Sequence, residues 1–67
     1  MYSTGFRDTE GQMTPQLAEM IRQRQNIGVL KTGEFVWFTS EDREKLEQMK
    51  KEYPDLCSFA IQKHYLD

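Results

Sequence analysis

The sequence predicts a small α+β fold, with elements in the order α-β-β-α-β and a three-stranded sheet carrying both helices on one face. Three observations carry that prediction. Two stretches repeat apolar residues at helical spacing behind helix-starting residues, two β-rich runs flank a Thr-Gly pair, and a C-terminal segment alternates apolar with polar side chains. A chain of 67 residues has room for one core and no second one.

Residues 1–12 read as a flexible N-terminal arm and residues 13–67 as the single domain. The arm holds Gly5 and Gly11 and has no apolar period, which is the composition of an untethered terminus. Tyr2 and Phe6 are its large aromatics. They are candidate anchors, onto the body of the domain or onto a partner.

The first helix starts at Thr14-Pro15, with Thr14 as N-cap and Pro15 at the first helical position, where a missing N–H costs nothing. Leu17, Met20 and Ile21 share one face. Arg24 closes that stripe, and Asn26 or Gly28 ends the helix in a left-handed cap. Next, Gly28–Lys31 and Glu34–Phe38 read as two strands of a hairpin about Thr32-Gly33. That loop sets Lys31 opposite Glu34 and Leu30 opposite Phe35.

Thr39-Ser40-Glu41-Asp42 has the form of a capping box, and Leu46, Met49 and Tyr53 line the helix that follows. Pro54 stops it. Residues 57–65 alternate and read as the third strand, with Cys57, Phe59, Ile61 and Tyr65 on its apolar side, although Leu56, Phe59, Ala60 and Lys63 would also suit a short helix. A helical connection from strand 34–38 to strand 57–65 predicts a parallel, right-handed crossover.

Composition narrows the function classes. Cys57 is the sole cysteine, so no internal disulfide and no cysteine-built zinc site is expected, and a reducing, cytoplasmic setting suits a lone thiol. No apolar run is long enough for a membrane span and the first residues do not form a signal peptide. A net charge of −2 argues against a dedicated nucleic-acid binder. No phosphate-binding loop, nucleophile elbow or paired-histidine metal motif is present. No cofactor, no metal and no enzymatic activity are expected.

Isolated polar residues need no catalytic explanation. His64, the only histidine, reads as a solvent-facing strand residue, and Cys57 as a buried core thiol. Glu41, Asp42, Glu44 and Glu47 belong to a solvated, well-capped helix face.

The informative stretch is Phe35-Val36-Trp37-Phe38. Strand alternation sends Phe35 and Trp37 to one face and Val36 and Phe38 to the other, so both faces are apolar. Two short helices cover one face. Either Tyr2 and Phe6 close the second, or another molecule does. The leading expectation is therefore a non-catalytic protein-binding module, homo-oligomeric or bound to a partner protein, that occludes a partner surface through Phe35, Trp37, Gln62, His64, Tyr2 and Phe6. The alternative uses the basic segment 22–31, with Arg22, Arg24 and Lys31 beside the sheet aromatics as a weak platform for single-stranded nucleic acid or a nucleotide. In profile (tiny, acidic, aromatic-rich and without catalytic residues) the chain resembles small accessory and inhibitor proteins of bacteriophages. That likeness is one of composition and gives no residue a role.

Overall fold

Residues 2–7, expected to lie in a flexible arm, form a strand near the middle of the sheet. The structure, a computed structural model, describes residues 1–64. Its elements are β1 (Tyr2–Arg7), α1 (Pro15–Gln25), β2 (Gly28–Thr32), β3 (Phe35–Ser40), α2 (Arg43–Glu52), a 3-10 turn (Pro54–Leu56) and β4 (Gln62–Lys63). The four strands lie in the order β2-β3-β1-β4, and every neighbouring pair is antiparallel. The α+β class and the order of elements after β1 are as the sequence predicts; the sheet has four strands rather than three. The division into arm and domain at residue 12 does not hold, because β1 is hydrogen-bonded on both sides.

The reason β1 escapes sequence reading is chemical. Its residues Tyr-Ser-Thr-Gly-Phe-Arg offer only a short apolar pattern, yet Ser3, Thr4, Gly5 and Phe6 are all buried. Thr4 is buried without penalty because its hydroxyl donates to the Phe59 carbonyl at 2.7 Å. Gly5 is there for space: a Cβ at this position would sit 1.9 Å from the Val36 carbonyl oxygen. In a strand, glycine marks such a close backbone approach.

With β1 in place the chain reads βαββαβ, the split βαβ or ferredoxin-like plan. This plan hosts many unrelated functions and assigns none. Strands β3 and β4 do run parallel, each being antiparallel to β1. They are not neighbours, however, because β1 lies between them.

Both helices pack on one side of the sheet, α1 over β2 and α2 over β1 and β3. Thr14 caps α1, its hydroxyl accepting from the Leu17 N–H at 3.1 Å, and Asn26 ends it with φ 54°. The second helix starts later than expected. Ser40 is spent on the last pair of β3, opposite Tyr2, and the cap falls to Asp42, whose carboxylate accepts from Glu44 N–H at 3.0 Å. The core joins Phe6, Ile21, Val36, Phe38, Leu46 and Met49 with Met13, Ile27 and Cys57.

Two local readings change. The hairpin turns on Gly33-Glu34, not Thr32-Gly33, so Leu30 pairs with Trp37 and Lys31 with Val36. Gly33 has φ 58°, and a glycine at the first central position of a two-residue turn fits the twist of the flanking strands. The segment after α2 is not one continuous strand. A 3-10 turn follows Tyr53, the chain bends at Phe59, and only Gln62–Lys63 pair with β1. Tyr65 lies outside the described residues.

No helix among the described residues is long and apolar enough to cross a membrane.

Candidate functional site

The sheet has one covered face and one open face, and the open face gathers the aromatics. Alternation along β3 puts Val36 and Phe38 under the helices, both fully buried, and leaves Phe35 41% exposed on the other side. Phe35 and Trp37 stack with ring centroids 6.2 Å apart. Phe59 completes the group, 5.4 Å from Trp37 and 6.2 Å from Phe35. The bend at Phe59 is what re-aims this ring. Ile61 packs instead against the helix-side core, so the two residues do not share a side as a regular strand would require.

Leu30 extends the patch from β2, opposite Trp37 and 56% exposed. A shallow cavity of ≈ 290 Å³ opens beside Trp37, where Leu30, Thr39, Gln62 and His64 line it. At the far end of the patch Arg7 and Glu34 form an ion pair at 2.9 Å, so the charges there cancel. A larger groove of ≈ 470 Å³ runs along α2, lined by Arg43, Glu47, Lys50 and Lys51 with Ala60 and Ile61. Its walls are mainly solvated charged side chains, whereas the smaller cavity adjoins the exposed rings, and exposed apolar area is the better mark of a binding surface.

The expected site residues separate into three groups. Phe35, Trp37, Gln62 and His64 are brought together on the open face. Tyr2 and Phe6 are not among them. Phe6 is 5% exposed and stacked on Phe38 at 6.4 Å, inside the core. Tyr2 packs against the same core, with the Arg43 guanidinium and the Lys63 ammonium each 5.9 Å from its ring. Their place on the strand explains this: even-numbered positions of β1 point to the helices, so neither aromatic closes the second face. The third group is the basic one. Arg22 and Arg24 belong to α1, and Lys31 reaches the Asp8 carboxylate at 3.7 Å. Arg22 pairs with Glu19. These cations lie on the helix side, away from the open-face aromatics, and the basic-aromatic platform does not assemble.

Leu30 and Phe59 belong to the patch but were not singled out. Leu30 falls on the face of Phe35 and Trp37 in either register, opposite Phe35 with the turn on Thr32-Gly33 and opposite Trp37 as observed. Phe59 carries no sequence signal, because its direction depends on a bend outside any regular element.

Polar groups near the patch serve structure. Ser3 Oγ and His64 Nε2 share a hydrogen bond that ties the C-terminal segment to β1. A catalytic serine must meet its substrate, and Ser3 is only 5% exposed. Cys57 is 1% exposed, and burial pushes its thiol up to about 11. Removal from water is the largest cause, opposed by the nearby Lys50 charge. Asp8 is the one buried acid among the described residues. Its carboxylate accepts from Gln12 N–H at 2.7 Å and Met13 N–H at 2.8 Å. The Met13 bond leads in holding its pKa below the ordinary carboxylate value, against the cost of burial. Among the described residues no cluster of three or more His, Cys, Asp or Glu is placed to hold a metal ion.

Comparison with known proteins finds no matching family model, no matching curated protein and no matching solved structure.

Proposed function

We propose that this protein is a non-catalytic protein-binding module that acts by covering a partner's surface with the open face of its sheet, in the manner of a small regulator or inhibitor. The observation that carries the reading is the Phe35–Trp37–Phe59 cluster, extended by Leu30 and left uncovered by either helix. Aromatic side chains supply large contact area at small entropic cost and dominate the centres of protein interfaces. The patch is nearly uncharged, since Arg7 and Glu34 neutralise each other, and depletion of charge marks the core of an interface. Gln62 and His64 supply a polar rim beside it.

A photo-crosslinking amino acid placed at position 35, compared with one at position 24 on α1, tests the reading in cells. The expected outcome is protein adducts at 35, absent at 24, and lost when Leu30→Lys is added. Equal labelling at both positions would defeat it. So would a salt-sensitive, submicromolar complex with single-stranded nucleic acid that Arg22→Ala with Arg24→Ala abolishes, since the electrostatic term of such binding scales with phosphates neutralised.

A further inference from the structure

The two edges of the sheet are not alike. β4 has two residues, Gln62 and Lys63, and a strand this short offers little backbone to another chain. β2 has five, Gly28–Thr32, with no proline. Proteins guard exposed edges with short strands, prolines and outward charges, and β2 carries only one of these, a single lysine. That Lys31 is 43% exposed, but its ammonium is paired at 3.7 Å with the buried Asp8 carboxylate.

The outward backbone groups can be named. A guanidinium nitrogen of Arg22 lies 3.5 Å from the Val29 carbonyl oxygen, so that carbonyl points off the edge rather than toward β3. In an antiparallel pair, residues alternate between hydrogen-bonded and non-hydrogen-bonded positions. Val29 and Lys31 therefore present both N–H and C=O outward, while Gly28, Leu30 and Thr32 bond to β3. The Arg22 contact is long and weak, and Glu19 holds the same guanidinium, so another chain displaces it at little cost.

We propose that a second copy of this chain docks antiparallel on β2 about a two-fold axis at Leu30. Val29 of each copy then exchanges main-chain hydrogen bonds with Lys31 of the other, and the two four-stranded sheets become one of eight strands. The Leu30 side chains meet in a non-hydrogen-bonded pair, the closer of the two spacings. Exposed surface on Leu30 is buried, and the patch runs from one Trp37 to the other through both leucines. This register brings Lys31 of one copy near Arg22 of the other, and each is matched within its own copy, Lys31 by Asp8 and Arg22 by Glu19. Small domains with a limited core gain most from such association. The dimer does not rest on the function proposed above; it covers part of Leu30 and leaves the Phe35–Trp37–Phe59 cluster of each copy uncovered.

The test is sedimentation of the full chain across micromolar concentrations, with amide exchange at Val29 and Lys31. The wild type is expected to shift from 8.0 kDa to twice that mass, with both amides slowing as concentration rises. Lys31→Pro removes an outward N–H that β3 does not use, and proline is tolerated on such an edge. It is expected to raise the dissociation constant about tenfold or more while circular dichroism stays native. Lys31→Ala, which keeps the N–H, is expected to dimerise like the wild type. A chain that stays at 8.0 kDa with exchange independent of concentration would overturn the proposal. So would a dimer indifferent to Lys31→Pro, or one that Lys31→Ala weakens equally. Were Lys31→Pro to unfold, the wild-type exchange data would still decide between these outcomes.

Discussion

The two faces of the sheet are built from the same strands and have opposite fates. On the helix side, Val36 and Phe38 are wholly buried against Ile21, Leu46 and Met49. On the other side Phe35 and Leu30 stay 41% and 56% exposed, with Phe59 alone laid across the rings of β3. Within the tetrapeptide Phe35-Val36-Trp37-Phe38 both sets are equally apolar. What separates them is supply: α1 and α2, of eleven and ten residues, both fall on one side, and among the described residues nothing of similar area lies on the other. One face holds the fold together, and the other carries the surface proposed to bind.

Truncations on β3 give that contrast its largest test. Phe38→Ala empties a closed site and is expected to cost ~3–5 kcal/mol, a large part of a small domain's stability. Phe35→Ala, three residues away on the open face, is expected to cost about 1 kcal/mol or less. Urea denaturation of the two variants measures both. Equal losses would mean that the open face is closed in solution and the contrast between faces is wrong.

A smaller effect sharpens the contrast through pH. The Asp8 carboxylate fastens the β1–α1 loop from the helix side, accepting from Gln12 and Met13. Its pKa is lowered in the folded protein, chiefly by the Met13 N–H. A depressed carboxylate contributes stability that is present above its unfolded pKa and lost as pH falls through the folded one. The urea midpoint should therefore drop as pH falls below about 4, and Asp8→Asn should show less of that drop while starting lower at neutral pH. An acid profile unchanged by Asp8→Asn would remove the carboxylate from the account. The smallest effect concerns Cys57. With its thiol raised to about 11 by burial, alkylation at neutral pH should be slow until denaturant opens the core. Rapid labelling of the native protein would show the helix-side core to be open.

Much of the scaffold was legible from local chemistry. Thr14-Pro15 and Asn26 mark the ends of α1 because caps depend on a few adjacent residues. Leu46 and Met49 announce the buried stripe of α2, and alternation in β3 correctly divided its four side chains between two faces. Of the candidate site, Phe35, Trp37, Gln62 and His64 were readable for the same reason. Tyr2 and Phe6 do anchor on the body of the domain, but on the helix side and not on the open face, because Tyr2–Arg7 is a strand and not an arm.

The sequence by itself determined the two helices, the hairpin and the two apolar faces of β3, since each follows from spacing within a few residues. Only the tertiary structure decided that Tyr2–Arg7 is an inner strand. Its burial rests on contacts far along the chain: the Thr4 hydroxyl meets the Phe59 carbonyl, and Gly5 yields space to Val36. Neither contact leaves a periodic trace. The same holds for Phe59, which joins the open face through a bend whose position is set by bonding to β1, its N–H donating to the Gly5 carbonyl at 2.9 Å. Local pattern specifies elements; pairing between distant segments specifies which side of the sheet is left bare.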